Sequence, residues 1–284
     1  MASKKFTKKH YPVVRSAPIA SGSAPNTLID TGKQLSALNR RLYRYGRYYN
    51  VKIDVRNDQA GQISVFALRD DWAVQKGFQM AYQKYMENTA DERKNLSSKQ
   101  IARWEDFRCR DGLTLSKNDA LPVLHGPDGG QVVLTVGDTF NSQVVDGAGT
   151  TKTFTWGAGA SDRYGILEEY DKSGNAFTTP ESRPSDAPYE NIDTLVDETV
   201  HDQLQSNGDV PPYNKDGVNA HSPWVRIAVL GNTGGAQKLS TGFFTAPCGL
   251  VLLTGFGDTG TGYPVELEVK AGDYKGVHAP SMLE

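Results

Sequence analysis

The chain has 284 residues, 23 % of them charged, a net charge of −2 and two cysteines, Cys109 and Cys248. That length holds one large β-domain or two small ones with a core that needs no staples. Two isolated cysteines exclude a disulfide framework or a zinc ribbon and fit maturation in a reducing compartment. No apolar run approaches the ~20 residues of a membrane span, and the N-terminal "MASKKFTKKHYPVVRSAPIASGSAPN" has no apolar stretch behind its lysines, so it does not read as a secretion signal.

The average charge hides a segregation. Residues 1–50 hold ten basic residues (Lys4, Lys5, Lys8, Lys9, Arg15, Lys33, Arg40, Arg41, Arg44 and Arg47) against one acidic residue, Asp30, a balance of +9 that leaves −11 for the rest. A basic leader ahead of an acidic body points to one end that meets a polyanion. Residues 1–30 read as a disordered arm, because Pro12, Pro18, Pro25 and the patch "SAPIASGSAP" offer little apolar surface to offset chain entropy. From Thr31 a short helix is predicted, with Leu35, Leu38 and Leu42 on one face, Thr31 as its cap and Gly46 as its end. Arg40, Arg41, Arg44 and Arg47 then gather around the last turn. There they either answer the negative end of the helix dipole or extend the arm's polyanion contact; a membrane-surface helix is the third reading.

"RYYNVKIDVR" is a clear strand, with Tyr49, Val51, Ile53 and Val55 on one side and Asn50, Lys52, Asp54 and Arg56 on the other. A turn at residues 57–61 leads to "QISVFALR", apolar on both faces and expected deep in the fold. A helical insertion follows: Val74, Phe78, Ala81, Tyr82 and Tyr85 recur at helical spacing. Ser97 and Gln100, placed like a capping box, open a second helix with Ile101, Trp104 and Phe107 on one stripe. Beyond Gly112 the chain reads as strands: "QVVLTV", "KTFTWG", "YGILEEY", "WVRIAVLG", "TGFFTA", "GLVLLTG" and "VELEVK". Gly255, Gly257 and Gly260 match the dinucleotide fingerprint, but "VELEVK" after them alternates like a strand, so the glycines are expected in a hairpin or sandwich-edge loop. Residues 161–216 carry 13 carboxylates against four basic residues and are expected to form solvated loops. About nine unevenly spaced strands suit a two-sheet sandwich such as a jelly roll.

No active site is legible. Asp197, Glu198 and His201 share a helix face, but no second ligand segment completes a metal centre. Cys109, flanked by Arg108 and Arg110, is a candidate for a lowered thiol pKa, and Cys248 for a small buried side chain. No Walker loop, G-x-S-x-G elbow or H-E-x-x-H helix is present. The expectation is a protein that is not an enzyme and needs no cofactor; Asp-rich loop edges are candidates only for calcium shared between subunits. A carbohydrate-binding or attachment sandwich using Trp156, Tyr170 and Tyr189 is the alternative to a cationic structural protein. A β-sandwich hydrolase is a further alternative, without a particular carboxylate pair to carry it.

The basic arm, the run "NRRLYRYGRYYNVKIDV", the aromatic insertion ending "ARWEDFR" and the ending "FFTAPCGLVLLTG…VELEVKAGDYKGVHAPSM" together resemble capsid proteins of small circular single-stranded DNA viruses and their environmental relatives. The resemblance spans most of the chain as an ordered series of features. It implies a mainly β fold, a single jelly-roll β-sandwich with a short helical insertion (about residues 70–110) and a flexible basic N-terminal arm. Residues 1–46 would be that arm with its short helix, and residues 47–284 a shell domain with acidic surface loops at about 161–216. It further implies self-assembly into an icosahedral virion inside the host cell, without membrane insertion. The packaged genome would be single-stranded DNA; similar jelly rolls also enclose RNA. The residues matching a genome-contacting role are Lys4, Lys5, Lys8, Lys9 and Arg15, followed by Arg40, Arg41, Arg44 and Arg47. With roughly sixty copies, an arm of this charge would bring roughly 540 positive charges to one enclosed polymer.

Overall fold

Strict alternation over residues 48–57 organises the molecule: Tyr49, Val51, Ile53 and Val55 are all fully buried, while Asn50 and Lys52 between them stay partly open. The computed structural model describes residues 13–19, 26–57, 61–97, 106–110, 123–125, 131–133, 141–173, 222–232, 235, 237–255 and 265–284. The chain starts with strands β1 (Ser16–Ile19) and β2 (Asn26–Asp30), helix α1 (Thr31–Asn39), and strands β3 (Tyr48–Asn57) and β4 (Gly61–Leu68). Helices α2 (Trp72–Asn88) and α3 (Ala90–Asn95) follow, then short strands β5 (Val123–His125), β6 (Gln131–Val133), β7 (Gln143–Val145), β8 (Thr151–Thr155) and β9 (Arg163–Gly165), and helix α4 (Ile166–Lys172). The last four strands are β10 (Trp224–Asn232), β11 (Gln237–Pro247), β12 (Leu250–Thr254) and β13 (Val265–Val269).

The structure is mainly β, with two antiparallel sheets packed together. One has the order β1-β13-β3-β11 and the other β10-β4-β12-β2. Val51, Ile53, Val55, Leu267 and Val269 of the first sheet meet Ile29, Ile63, Val65, Val251 and Leu253 of the second in one core. Each such side chain contributes about 1.5–3 kcal/mol through burial. Among these eight strands every connection passes from one sheet to the other except β4 to β10, which are antiparallel neighbours. That exception is the chain between residues 69 and 223, which includes the helical insertion expected at about 70–110.

The insertion builds a second core. Val74, Phe78, Ala81 and Tyr85 of α2 are buried as their spacing predicts, and Tyr82 packs partly against them. The Phe78 ring stacks on Trp156 at 6.2 Å between centroids and approaches Phe107 at 5.4 Å. Asp71 caps α2, accepting the Val74 N–H at 2.9 Å. After β13 the chain doubles back along the start of β3: Asn50 N–H donates to His278 and Tyr48 N–H to Pro280 (3.2 and 2.9 Å), burying Val277, Ala279 and Met282.

Several expectations are corrected. The stretch expected as disordered through residue 30 includes β1 and β2, which pair with β13 and β12. Ala17 and Ile19 point into the core, and Pro18 is tolerated because β1 is an edge strand. Asp30, not Thr31, caps α1, accepting Lys33 N–H at 2.9 Å, and the helix ends at Asn39, well before Gly46. "YGILEEY" is a short strand turning into α4, because Ile166, Leu167 and Tyr170 bury one helical face while Glu168 and Lys172 pair across one turn at 2.8 Å. In place of a helix carrying Phe107, residues 106–109 form neither helix nor strand; α3 precedes them, and Ile101 and Trp104 lie outside the described residues. Of the two readings of the glycine-rich connection after β12, the hairpin fails and the sandwich-edge loop fits, since β12 and β13 belong to different sheets.

The turn from β11 to β12 passes between sheets in two residues. Cys248 and Gly249 both adopt left-handed backbone (φ 56° and 69°), and Gly249 N–H closes the turn on the Ala246 carbonyl at 2.9 Å. A Cβ on Gly249 would lie 2.8 Å from the Tyr49 ring and 3.0 Å from Thr31 Cβ. Gly249→Ala is expected to cost about 2–4 kcal/mol and to lower the thermal midpoint by several degrees. Gly147→Ala, where nothing lies within 4 Å, should leave it unchanged in the same melting experiment.

Candidate nucleic-acid interface

The end of α1 decides where four of the candidate arginines go. Arg40 turns into left-handed backbone (φ 52°), and its N–H and that of Arg41 both return to the Ser36 carbonyl, closing the helix. Ser36 Oγ donates to the Gly32 carbonyl at 2.6 Å and accepts Tyr43 N–H at 2.8 Å, so the chain leaves sideways. No basic residue occupies the last turn of α1. The dipole reading therefore fails for Arg41, Arg44 and Arg47, which lie on the loop 40–47 leading into β3.

On that loop the arginines have different tasks. Arg40 and Arg44 are exposed. Arg41 lies half-buried over the Tyr43 ring, 5.6 Å from its centroid. Arg47 is a clamp: its guanidinium stacks on Tyr274 at 3.5 Å, and Nη1 donates to the Ala279 carbonyl at 2.7 Å. Tyr274 in turn accepts the Arg44 N–H at 3.2 Å. A fifth cation joins them, which sequence reasoning missed. Lys275 is exposed, donates Nζ to the Leu42 carbonyl and sits 5.3 Å from the Tyr274 ring centroid. It lies more than 200 residues along the chain, so no local pattern links it to the loop.

The arm enters at this same place. Val14 N–H donates to Asn39 Oδ1, and Asn39 Nδ2 donates back to the Val14 carbonyl, both at 2.9 Å. Val13 lies against Gly276, with a methyl carbon 2.6 Å from where a Cβ would stand. Arg15 leads into β1, its carbonyl accepting Val269 N–H at 2.8 Å. The root of the arm is thus wedged between the end of α1 and the turn carrying Lys275. Lys4, Lys5, Lys8 and Lys9 lie outside the described residues.

Beneath the loop lies a buried ionic cluster. Asp106 Oδ2 accepts the Tyr45 N–H at 2.8 Å and stands 3.7 Å from Arg108 Nη2, while Arg108 Nη1 pairs with Asp30. Burial pushes the Asp106 carboxyl up to about 6, against the pull of Arg108. Burial works against the Arg108 charge, but Asp30 and Asp106 outweigh it and hold its pKa raised. Tyr45 ties the loop to the second core: its hydroxyl donates to the Cys109 carbonyl at 3.2 Å and accepts Trp156 Nε1–H at 3.0 Å.

The remaining candidates do not converge. Cys109 and Cys248 are fully buried thiols pushed well up by burial, which overturns the reactive reading of Cys109; Cys248 Sγ packs on Met282 Sδ at 3.6 Å. Asp197, Glu198 and His201 fall outside the described residues, and no group of three metal-ligating side chains occurs among the described ones. Trp156 and Tyr170 are 1 % and 5 % exposed, so neither offers a face to a sugar; Tyr189 lies outside the described residues. An apolar cleft of about 460 Å³ between α2 and α4, lined by Met80, Phe154, Tyr164 and Ile166, shares no residue with the cationic loop. No known protein family, curated protein or solved structure matches the chain.

Two outcomes test these assignments. Arg47→Ala should lose about 1–3 kcal/mol of stability, since a stacked and hydrogen-bonded guanidinium is removed, whereas Arg44→Ala should leave the denaturant midpoint unchanged. Asp106 binds its proton more tightly folded than unfolded, so its contribution is full below about pH 4 and is lost as pH rises through about 6. Asp106→Asn, which keeps an acceptor for Tyr45, should therefore be more stable than wild type at pH 7.5. That advantage should shrink toward pH 4 in urea titrations.

Proposed function

We propose that the chain is a single jelly roll that assembles with copies of itself into a closed shell and contacts an enclosed nucleic acid through its basic arm and the loop 40–47. The strand order supports the jelly roll. Numbered along the chain, the eight sandwich strands fall as first, eighth, third and sixth in one sheet and fifth, fourth, seventh and second in the other. That order supports a reading as two interlocked Greek keys, an architecture used by viral shells and by lectins.

The observation that carries the choice between those uses is the junction at Asn39. The hydrogen bonds from Val14 and the packing of Val13 on Gly276 root a lysine-bearing arm on the surface that carries Arg40, Arg44 and Lys275. A lysine-bearing N-terminal segment joined to a fixed cationic patch suits a long polyanion held by counterion release, without base readout. A carbohydrate-binding module would need exposed aromatic faces, and the described aromatics nominated for it are core. The partner is thus another copy of the chain on the shell's flanks and nucleic acid at the arm, with single-stranded DNA as the first choice and RNA as the alternative.

The expected result on purification is particles of megadalton mass that carry nucleic acid absorbance, measured by size exclusion with light scattering. A subunit that stays small under all assembly conditions overturns the reading. Deleting residues 2–12 together with Arg40→Glu and Arg44→Glu spares the contacts of Val13, Val14 and Arg47. It should therefore preserve particles while cutting packaged nucleic acid severalfold. Unchanged nucleic acid content would remove the arm and loop from the mechanism.

A further inference from the structure

We infer that a polyanion bound at the loop 40–47 and a proton on Asp106 favour one another, so that the chain grips nucleic acid more tightly in mildly acidic surroundings. This rests on the nucleic-acid reading above and adds its regulation.

The geometry behind it is one largely buried guanidinium shared by two carboxylates. Arg108 pairs with Asp30, which already caps α1 through Lys33 N–H at 2.9 Å, and with Asp106 at 3.7 Å. With both carboxylates ionised, this cluster is one negative charge in excess. The cation that acts on Asp106 from the surface side is Arg44, on the proposed nucleic-acid loop. A phosphate beside Arg44 neutralises that cation and adds negative charge above Asp106, so the ionised carboxylate becomes harder to keep. Proton uptake at Oδ1 relieves it and leaves Oδ2 on the Tyr45 N–H, so the loop need not move.

The other groups facing the cluster do not change charge in the relevant range. The phenols of Tyr45 and Tyr49 and the thiols of Cys109 and Cys248 are all held neutral by burial, their pKa values pushed well up. Arg108 keeps its charge between the two carboxylates. Asp106, raised by burial to about 6, is poised where a modest shift changes its occupancy near neutrality. Linkage makes the effect reciprocal: whatever factor the polyanion adds to proton affinity, the proton adds to polyanion affinity.

The test is fluorescence anisotropy of a labelled single-stranded oligonucleotide against the full chain from pH 5 to 8 at constant ionic strength. The wild type should bind on the order of three- to tenfold more tightly at pH 5 than at pH 8, the size expected of one charge felt across a salt-screened boundary. His10→Gln/His278→Gln should keep that dependence, and Asp106→Asn should flatten it. As a readout that needs no variant, the Asp106 carboxyl carbon is also followed by NMR in the wild type, where its titration should move to higher pH when the oligonucleotide is added. Binding that is equally tight at all pH values, or a carboxyl titration unmoved by the oligonucleotide, overturns the coupling and leaves the nucleic-acid reading intact. A pH dependence that vanishes in the double histidine variant also overturns it. No binding at any pH removes both.

Discussion

The cationic loop is held from beneath by Tyr45. Its N–H is fixed on Asp106, its ring lies under the Arg108 guanidinium at 5.7 Å and beside Phe78, and its hydroxyl bridges Trp156 and the Cys109 carbonyl. A tyrosine suits this position because one flat apolar body fills the core while a single polar tip satisfies groups on the far side. Through it, the sandwich, the helical insertion and the arginine loop share one buried anchor. Without that anchor Arg40 and Arg44 would hang on a loose connection, and ordering them on a ligand would cost binding free energy.

Charge is managed differently on the two surfaces described. On the outer face of the first sheet the ions satisfy each other across strands: Lys52 reaches Glu268 at 2.5 Å and Asp54 at 3.3 Å, and Lys238 reaches Asp54 at 3.0 Å. On the loop 40–47 the cations lean instead on rings and carbonyls, with Arg41 on Tyr43, Arg47 on Tyr274 and Lys275 on both rings and on Leu42. Aromatic faces and carbonyls orient a cation without cancelling its formal charge. That leaves a positive field directed outward at the root of an arm that is itself positive.

The buried ionic cluster has a cost. Two carboxylates and one guanidinium removed from water are not a source of stability in their own right. Here they fix geometry, joining the cap of α1, the backbone of the loop and the segment 106–110. The same cluster places a titratable carboxyl under the loop 40–47, so that rigidity and the proposed proton sensitivity come from a single arrangement.

Local patterns carried much of the architecture. The alternation in β3 and β13, the apolar run of β12 and the helical stripe of α2 are legible because each element is amphipathic or wholly apolar over several residues, and burial follows that period. The charge contrast between the first fifty residues and the rest is likewise written in the chain and independent of folding. β1 and β2 are hidden because four residues with a proline, or five without one, carry too little periodicity, and they become strands only when β13 and β12 supply their hydrogen bonds. The α4 segment misled because its apolar residues fit both periods over so short a span. Which arginines reach solvent, the recruitment of Lys275 to the loop and the placement of Asp106 beneath it were set by long-range packing. Each depends on pairing residues far apart along the chain, and that pairing is decided by how the two cores close.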